Sequence, residues 1–128
     1  GVYFQFNPKF IDLGNVDASG STIDFNVAAV YKATLTANST LTFNWTNGTH
    51  LTNQYRYAKI ILIGSGAQTV TLSNSVAGST FHVPTSGWVG GSGGNSSVTY
   101  PITTGTAVLE AWTTDSGTNI YMKNIGQY

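Results

Sequence analysis

The stretch ATLTANSTLTFNW, residues Ala33 to Trp45, restricts the fold more than any other part of the chain. Apolar side chains fall at Ala33, Leu35 and Ala37 and again at Leu41, Phe43 and Trp45, with Thr34, Thr36, Thr40 and Thr42 between them. Alternation with a period of two describes an extended strand with one face buried and the other wet. Threonine suits the wet face because its branched Cβ fits a pleated backbone. Asn38-Ser39 interrupts the pattern, as a bend in one strand or as the turn of a short hairpin. In either case the rest of the chain must cover Leu41, Phe43 and Trp45.

The same period recurs along the chain. Ile23, Phe25 and Val27 alternate with Thr22, Asp24 and Asn26 inside Ser21 to Val30. After the strong turn signal Asn47-Gly48, Tyr55 to Ile63 carries large apolar groups at both parities. That pattern marks a central sandwich strand or one that lies against another subunit. Gly64 to Ala67 reads as a turn and Thr69 to Leu72 as the returning arm of a hairpin. Ser73 to Gly94 keeps Phe81, Val83 and Trp88 as its large apolar anchors, which predicts a long loop or a pair of very short strands. Pro101 lacks an N–H, so Val98 to Thr103 belongs at a sheet edge. Ala107 to Thr114 alternates, Asp115-Ser116-Gly117 turns the chain, and Ile120 to Ile125 closes the fold. The one candidate helix, Asn26 to Ala33, is too short and too β-branched to hold.

These patterns predict an all-β chain, an antiparallel β-sandwich or jelly-roll-like fold of about seven or eight short strands with no substantial helix. No internal repeat is evident. Residues 1–19 read as an extended N-terminal arm or linker, at best an edge strand because of Pro8. Residues 20–128 read as a single domain, of a size that buries one core.

Composition narrows the function. Five acidic and five basic residues leave no net charge, so solubility must come from Thr, Ser, Asn and Gly. Lys9, Lys32, Arg56, Lys59 and Lys123 are scattered, and no basic footprint for nucleic acid forms. The chain has no cysteine, which removes disulfides and thiolate metal sites. The longest apolar run, Ala58 to Ile63, contains Lys59 and falls well short of the roughly 20 residues of a membrane helix. His50 and His82 are the only histidines and Glu110 the only glutamate, a thin stock for acid–base chemistry. No G-x-S-x-G elbow is present. Asp24, Glu110 and Asp115 fall on separate strands or turns and make no glycosidase pair. The histidines lack i, i+2 or i, i+4 partners and the aspartates lack calcium-loop spacing, so no metal, no cofactor and no enzyme is expected.

Taken in order, STIDF, ATLTANSTLTF, IILIGSGAQTVTL, GWVGG, YPITTG, AVLEAWTTDSGT and NIYM form a succession from Gly20 to Met122. It resembles the small all-β domain of tail-fibre, head-fibre and other minor structural proteins of tailed bacteriophages. Two departures stand out: a long glycine- and serine-rich segment between Trp88 and Pro101, and Ile120 where that family commonly has a tryptophan. The resemblance implies a non-enzymatic structural component of a virion, a fibre or capsid-decoration module at the particle surface among other virion proteins. It also implies a place near the C-terminal end of a longer protein, with Gly1 an internal cut. Such modules resemble closed assemblies, most often homotrimers, which makes Tyr55, Tyr57, Ile61 and Ile63 candidates for a subunit interface. The competing expectation is that the chain's own two sheets cover both faces of that strand. The sequons at Asn38, Asn44, Asn47 and Asn95 would carry no sugar in a phage protein.

The second function class is a carbohydrate-binding or host-receptor adhesion module. Trp88 in SGWVGG and Tyr100 beside Pro101 are aromatic groups near flexible loops. Such rings stack on the apolar face of a host-surface glycan. The competing expectation makes Trp88 a plug that closes the bottom of the sandwich.

Overall fold

The computed structural model describes residues 8–44, 55–103 and 105–128. Trp45, the Asn47-Gly48 turn, His50 and the start of the arm lie outside the described residues. The strands are β1 (Phe10–Val16), β2 (Ser21–Asp24), β3 (Val30–Leu35), β4 (Ser39–Asn44), β5 (Arg56–Gly64), β6 (Gln68–Asn74), β7 (Thr80–His82), β8 (Ser97–Ile102), β9 (Gly105–Thr113) and β10 (Asn119–Gln127). The chain is all-β, with no helix among the described residues. Among the described residues there are ten strands, against the seven or eight expected. They form a six-stranded sheet, β1-β3-β5-β9-β10-β7, and a four-stranded sheet, β2-β4-β6-β8.

Both sheets are mixed, which corrects the antiparallel expectation. The chain alternates between sheets through its first six strands, so β1, β3 and β5 pair in parallel in one sheet and β2, β4 and β6 in the other. Each strand of one sheet thus serves as the crossover that parallel pairing in the other requires. This is a coil-like repeat the sequence conceals. Ser21 lies against Leu41, an offset of 20 residues, whereas Leu41 lies against Leu72, an offset of 31. The two offsets differ by 11 residues, so no fixed period survives. After β6 the chain pairs antiparallel in β8 on β6, β9 on β5 and β10 on β9, while the short β7 joins β10 in parallel.

The hairpin expected of β5 and β6 is an arch, and so is the Asn38-Ser39 interruption, which the sequence left open as a bend or a hairpin turn. β3 and β4 lie in different sheets, as do β5 and β6. Polar side chains stitch the successive arches together at one end of the molecule. Ser39 Oγ donates to the Asp17 carbonyl at 2.8 Å, Ser65 Oγ donates to the Leu35 carbonyl at 3.0 Å, and Asn38 Oδ1 accepts from Thr69 N at 2.8 Å. Gly20 is required in the first arch. Its φ is +78°, and a Cβ there would run into the Thr40 carbonyl.

β1 is the edge strand of the six-stranded sheet, carries a bulge between Asp12 and Asn15, and sends Val16 into the core. A bulged edge resists pairing with other chains. β8, with Pro101, is an edge of the four-stranded sheet as Pro101 demands. The poorly patterned stretch after β6 supplies β7, one of the very short strands expected there, and Phe81 bridges Asn95.

Inward residues of both sheets make one hydrophobic core. Ile23, Leu35, Leu41, Phe43, Ile60, Leu62, Val70 and Leu72 have no exposed surface. Phe43 of one sheet meets Phe81 of the other at 5.7 Å between ring centroids, and Phe25 meets Phe43 edge-on at 5.0 Å. The wet face of the four-stranded sheet is a threonine and serine surface, with Thr42 Oγ1 and Ser73 Oγ 3.1 Å apart.

Candidate functional site

Side chains directly opposite one another on neighbouring strands stand close enough to touch, because strands lie about 4.8 Å apart. On the outward face of the six-stranded sheet the register sets Tyr57 against Trp112, Trp112 against Tyr121, and Tyr121 against His82. Trp112 and Tyr121 stack with centroids 5.9 Å apart and planes 17° apart. Tyr121 and His82 stack at 4.9 Å and 19°. Tyr57 turns its hydroxyl to Glu110, donating to Oε1 at 2.9 Å. Burial, then that carboxylate, pushes the Tyr57 phenol up to about 12.

The turn between β9 and β10 holds the row in place. Thr113 Oγ1 donates to Asp115 Oδ1 at 2.9 Å and accepts from Gly117 N at 3.0 Å. Asp115 then accepts from Asn119 twice, Oδ1 from the backbone N–H at 2.9 Å and Oδ2 from Nδ2 at 2.8 Å. Burial alone would raise the Asp115 carboxyl, but the bonds from Asn119 and Thr113 outweigh it and hold it below its ordinary value. Because a carboxylate only accepts, the Asn119 amide is oriented with Oδ1 toward His82. That oxygen lies 2.7 Å from His82 Nε2, so Nε2 carries the proton and Nδ1 is the remaining nitrogen.

β7 ends at His82, and its pairing with β10 stops at Tyr121. Beyond that point no described strand flanks β10 on this side. The chain that leaves β7 bounds a cleft of about 400 Å³ there, walled by Val83, Pro84, Ser86 and Gly87 on one side and by His82, Trp112 and Tyr121 on the other. Met122, Lys123 and Asn124 of β10 complete it. Asn124 Oδ1 accepts from the Tyr100 hydroxyl at 2.8 Å, and that hydroxyl accepts from Gln127 Nε2 at 3.1 Å. The Asn124 amide is therefore oriented, and its Nδ2 has no hydrogen-bond partner among the described residues. The charged or chargeable side chains of the cleft are Lys123 and His82, with no carboxylate in its lining.

Trp88 and Tyr100 do come together, with centroids 5.2 Å apart and planes tilted by 55°. They do so as packing. Tyr100 is 0% exposed, and Trp88 lies against the core with Nε1 donating to the Gly91 carbonyl at 3.1 Å. Gly90 permits this, since a Cβ there would strike the Thr99 carbonyl. Tyr100 has no exposed surface to offer a sugar, and Trp88 packs between its loop and the core. Of the interface candidates, Tyr55 is 63% exposed just before β5. Tyr57, Ile61 and Ile63 point outward from β5 and are half-buried, while Ala58, Ile60 and Leu62 point into the core.

No protein-family model, curated protein or solved structure matches this chain. Among the described residues no group of His, Cys, Asp or Glu side chains is arranged to hold a metal ion, and no helix is long and apolar enough to cross a membrane. The aromatic row was missed in the sequence because its members come from separate strands. The available signal was parity: Trp112 falls on the face opposite Ala107, Leu109 and Ala111, and Tyr121 on the face opposite Ile120 and Met122.

Proposed function

We propose that this chain is a non-enzymatic structural module of a tailed-phage virion, of fibre or capsid-decoration type. In this reading it is a β-sandwich at the particle surface that assembles as a homotrimer among other virion proteins. The observation that carries the reading is the outward face of β5. This strand lies in the interior of the six-stranded sheet, yet it turns Tyr57, Ile61 and Ile63 away from the core. Val108 of β9 stands directly opposite Ile61 and extends the apolar strip. Contiguous apolar surface at the middle of a sheet marks an interaction face more often than bare surface. Lys59 and Lys123 flank Glu110 in one row of the same face, which supplies charges to set the angle at which copies meet. A chain with few charges and no cysteine, its coils pinned by arch hydrogen bonds, also suits a particle exposed to changing redox conditions.

The test is the solution mass by light scattering across a dilution series, for the wild type and for Ile61→Lys and Ile63→Lys. The expected result is a stable trimer that both substitutions reduce to a monomer with unchanged circular dichroism. A wild-type chain that stays monomeric at every concentration overturns the assembly.

A further inference from the structure

The cleft beside β10 has the parts of a saccharide site, and we propose that it binds an acidic sugar, a pyranose bearing a carboxylate, from a surface polysaccharide. This goes beyond the structural role and uses different residues, at the β10–β7 end of the sheet rather than at Ile61 and Ile63.

A pyranose asks three things of a protein: an aromatic surface for its C–H face, hydrogen-bonding groups for its rim of hydroxyls, and a cation if it carries a carboxylate. The stacked row supplies the surface: Tyr121, 38% exposed, stands between Trp112 and His82, so its ring edge lines the cleft together with those two rings. Rings stacked in this way lose little freedom when a ligand arrives, so the cost of ordering the site is already met by the fold. The rim has partners too. Among the described residues Asn124 Nδ2 is an oriented donor without a partner and the backbone of β10 past Tyr121 faces no strand on the cleft side, and Ser86 contributes a hydroxyl.

Charge chooses among sugars. Lys123 is exposed, forms no ion pair among the described residues, and lines the cleft with His82. Glu110, opposite Lys123 on β9, is engaged by the Tyr57 hydroxyl and lies outside the lining. A carboxylate on the ligand therefore meets the Lys123 ammonium, with no carboxylate in the cleft lining. The volume of about 400 Å³ lies within the range of roughly 300–1,000 Å³ usual for small-molecule sites. With no carboxylate in the lining, the pair of acids that glycoside hydrolysis needs is missing, so the cleft holds the sugar without cleaving it.

The experiment is a two-dimensional NMR titration of the chain with sialic acid and with glucuronic- and galacturonic-acid oligosaccharides. Maltotriose serves as the uncharged probe and acetate as the free carboxylate. Acidic saccharides are expected to shift the resonances of Trp112, Tyr121 and Lys123 and to leave the Trp88 indole unmoved. Lys123→Gln should weaken their binding about tenfold, equivalent to about 1.4 kcal/mol, with the spectrum of a folded protein retained. Tyr121→Ala should abolish binding without changing the solution mass. The proposal is overturned if no acidic saccharide of the panel shifts the cleft resonances at millimolar concentration. It is equally overturned if acetate alone reproduces the shifts or if Lys123→Gln leaves the affinity unchanged.

Discussion

Replacing Tyr100 by phenylalanine deletes one oxygen from a ring with no exposed surface, and the surroundings of that oxygen set the cost. The hydroxyl donates to Asn124 Oδ1 at 2.8 Å and accepts from Gln127 Nε2 at 3.1 Å. Gln127 is exposed and retains the Pro101 carbonyl at 3.0 Å, so its loss is small. Asn124 Oδ1 loses the donor that orients its amide, in the layer where the two sheets meet. A net hydrogen bond of about 1 kcal/mol plus part of the penalty for an unsatisfied acceptor comes to about 2 kcal/mol. An unfolding entropy of about 2.1 cal/mol/K per residue over 128 residues is about 270 cal/mol/K. Tm should then fall by roughly 7 °C. Differential scanning calorimetry of wild type and Tyr100→Phe reads this directly, and the Asn124 side-chain amide resonances report the freed group. A Tyr100→Phe protein as stable as the wild type would refute the argument.

The remaining predictions concern pH and the arches. The Asp115 carboxyl is held below its ordinary 3.8 in the folded state, so its contribution is present above that value and disappears as pH falls through the folded pKa. Urea midpoints should drop below about pH 4, with a shallower drop in Asp115→Asn, while Asp17, held down chiefly by the Ser19 hydroxyl, leaves some slope in both. Burial raises the phenols of Tyr31 and Tyr100, and that of Tyr57 to about 12. Stability should therefore be complete below pH 10 and decline from there toward 12, with phenolate absorbance appearing late and together with unfolding. Gly20→Ala should cost about 3 kcal/mol, since it combines positive φ with a backbone overlap. Gly78→Ala, at φ +74° with open space around it, should cost about 1 kcal/mol. Equal urea midpoints for the two would remove the arch contact from the account.

Local alternation was enough to say which side of most strands is buried. Ile23, Leu35, Leu41 and Phe43 fall on the apolar side by spacing alone and are fully buried, whereas Val27, past the end of β2, is 37% exposed. The same alternation could not tell a hairpin from an arch. Val70 and Leu72 meet the core whether β6 pairs beside β5 or crosses to the opposite sheet, so the inward pattern is identical in both. The crossing depends on contacts remote in sequence: Ser65 on Leu35, Asn38 on Thr69, and the Gly64 backbone so close to Thr103 and Ile102 that a Cβ would lie 2.5 Å from the Thr103 carbonyl. The packing of Trp88 was hidden for a related reason. Trp88 among glycines looks exposed when only its neighbours in the chain are known, yet the core offers it Tyr100 and the glycines let the loop close over both.

What the sequence determined by itself is the class of the protein: all-β, weakly charged, with inward and outward faces set by a period of two, because side-chain direction along a strand is a local property. Tertiary structure alone decided which strands are neighbours and therefore which aromatic rings share a surface. His82, Trp112 and Tyr121 acquire a common cleft only when β7, β9 and β10 lie side by side in register. Register is a long-range outcome of burying both sheets on one core, and no window of the chain contains it.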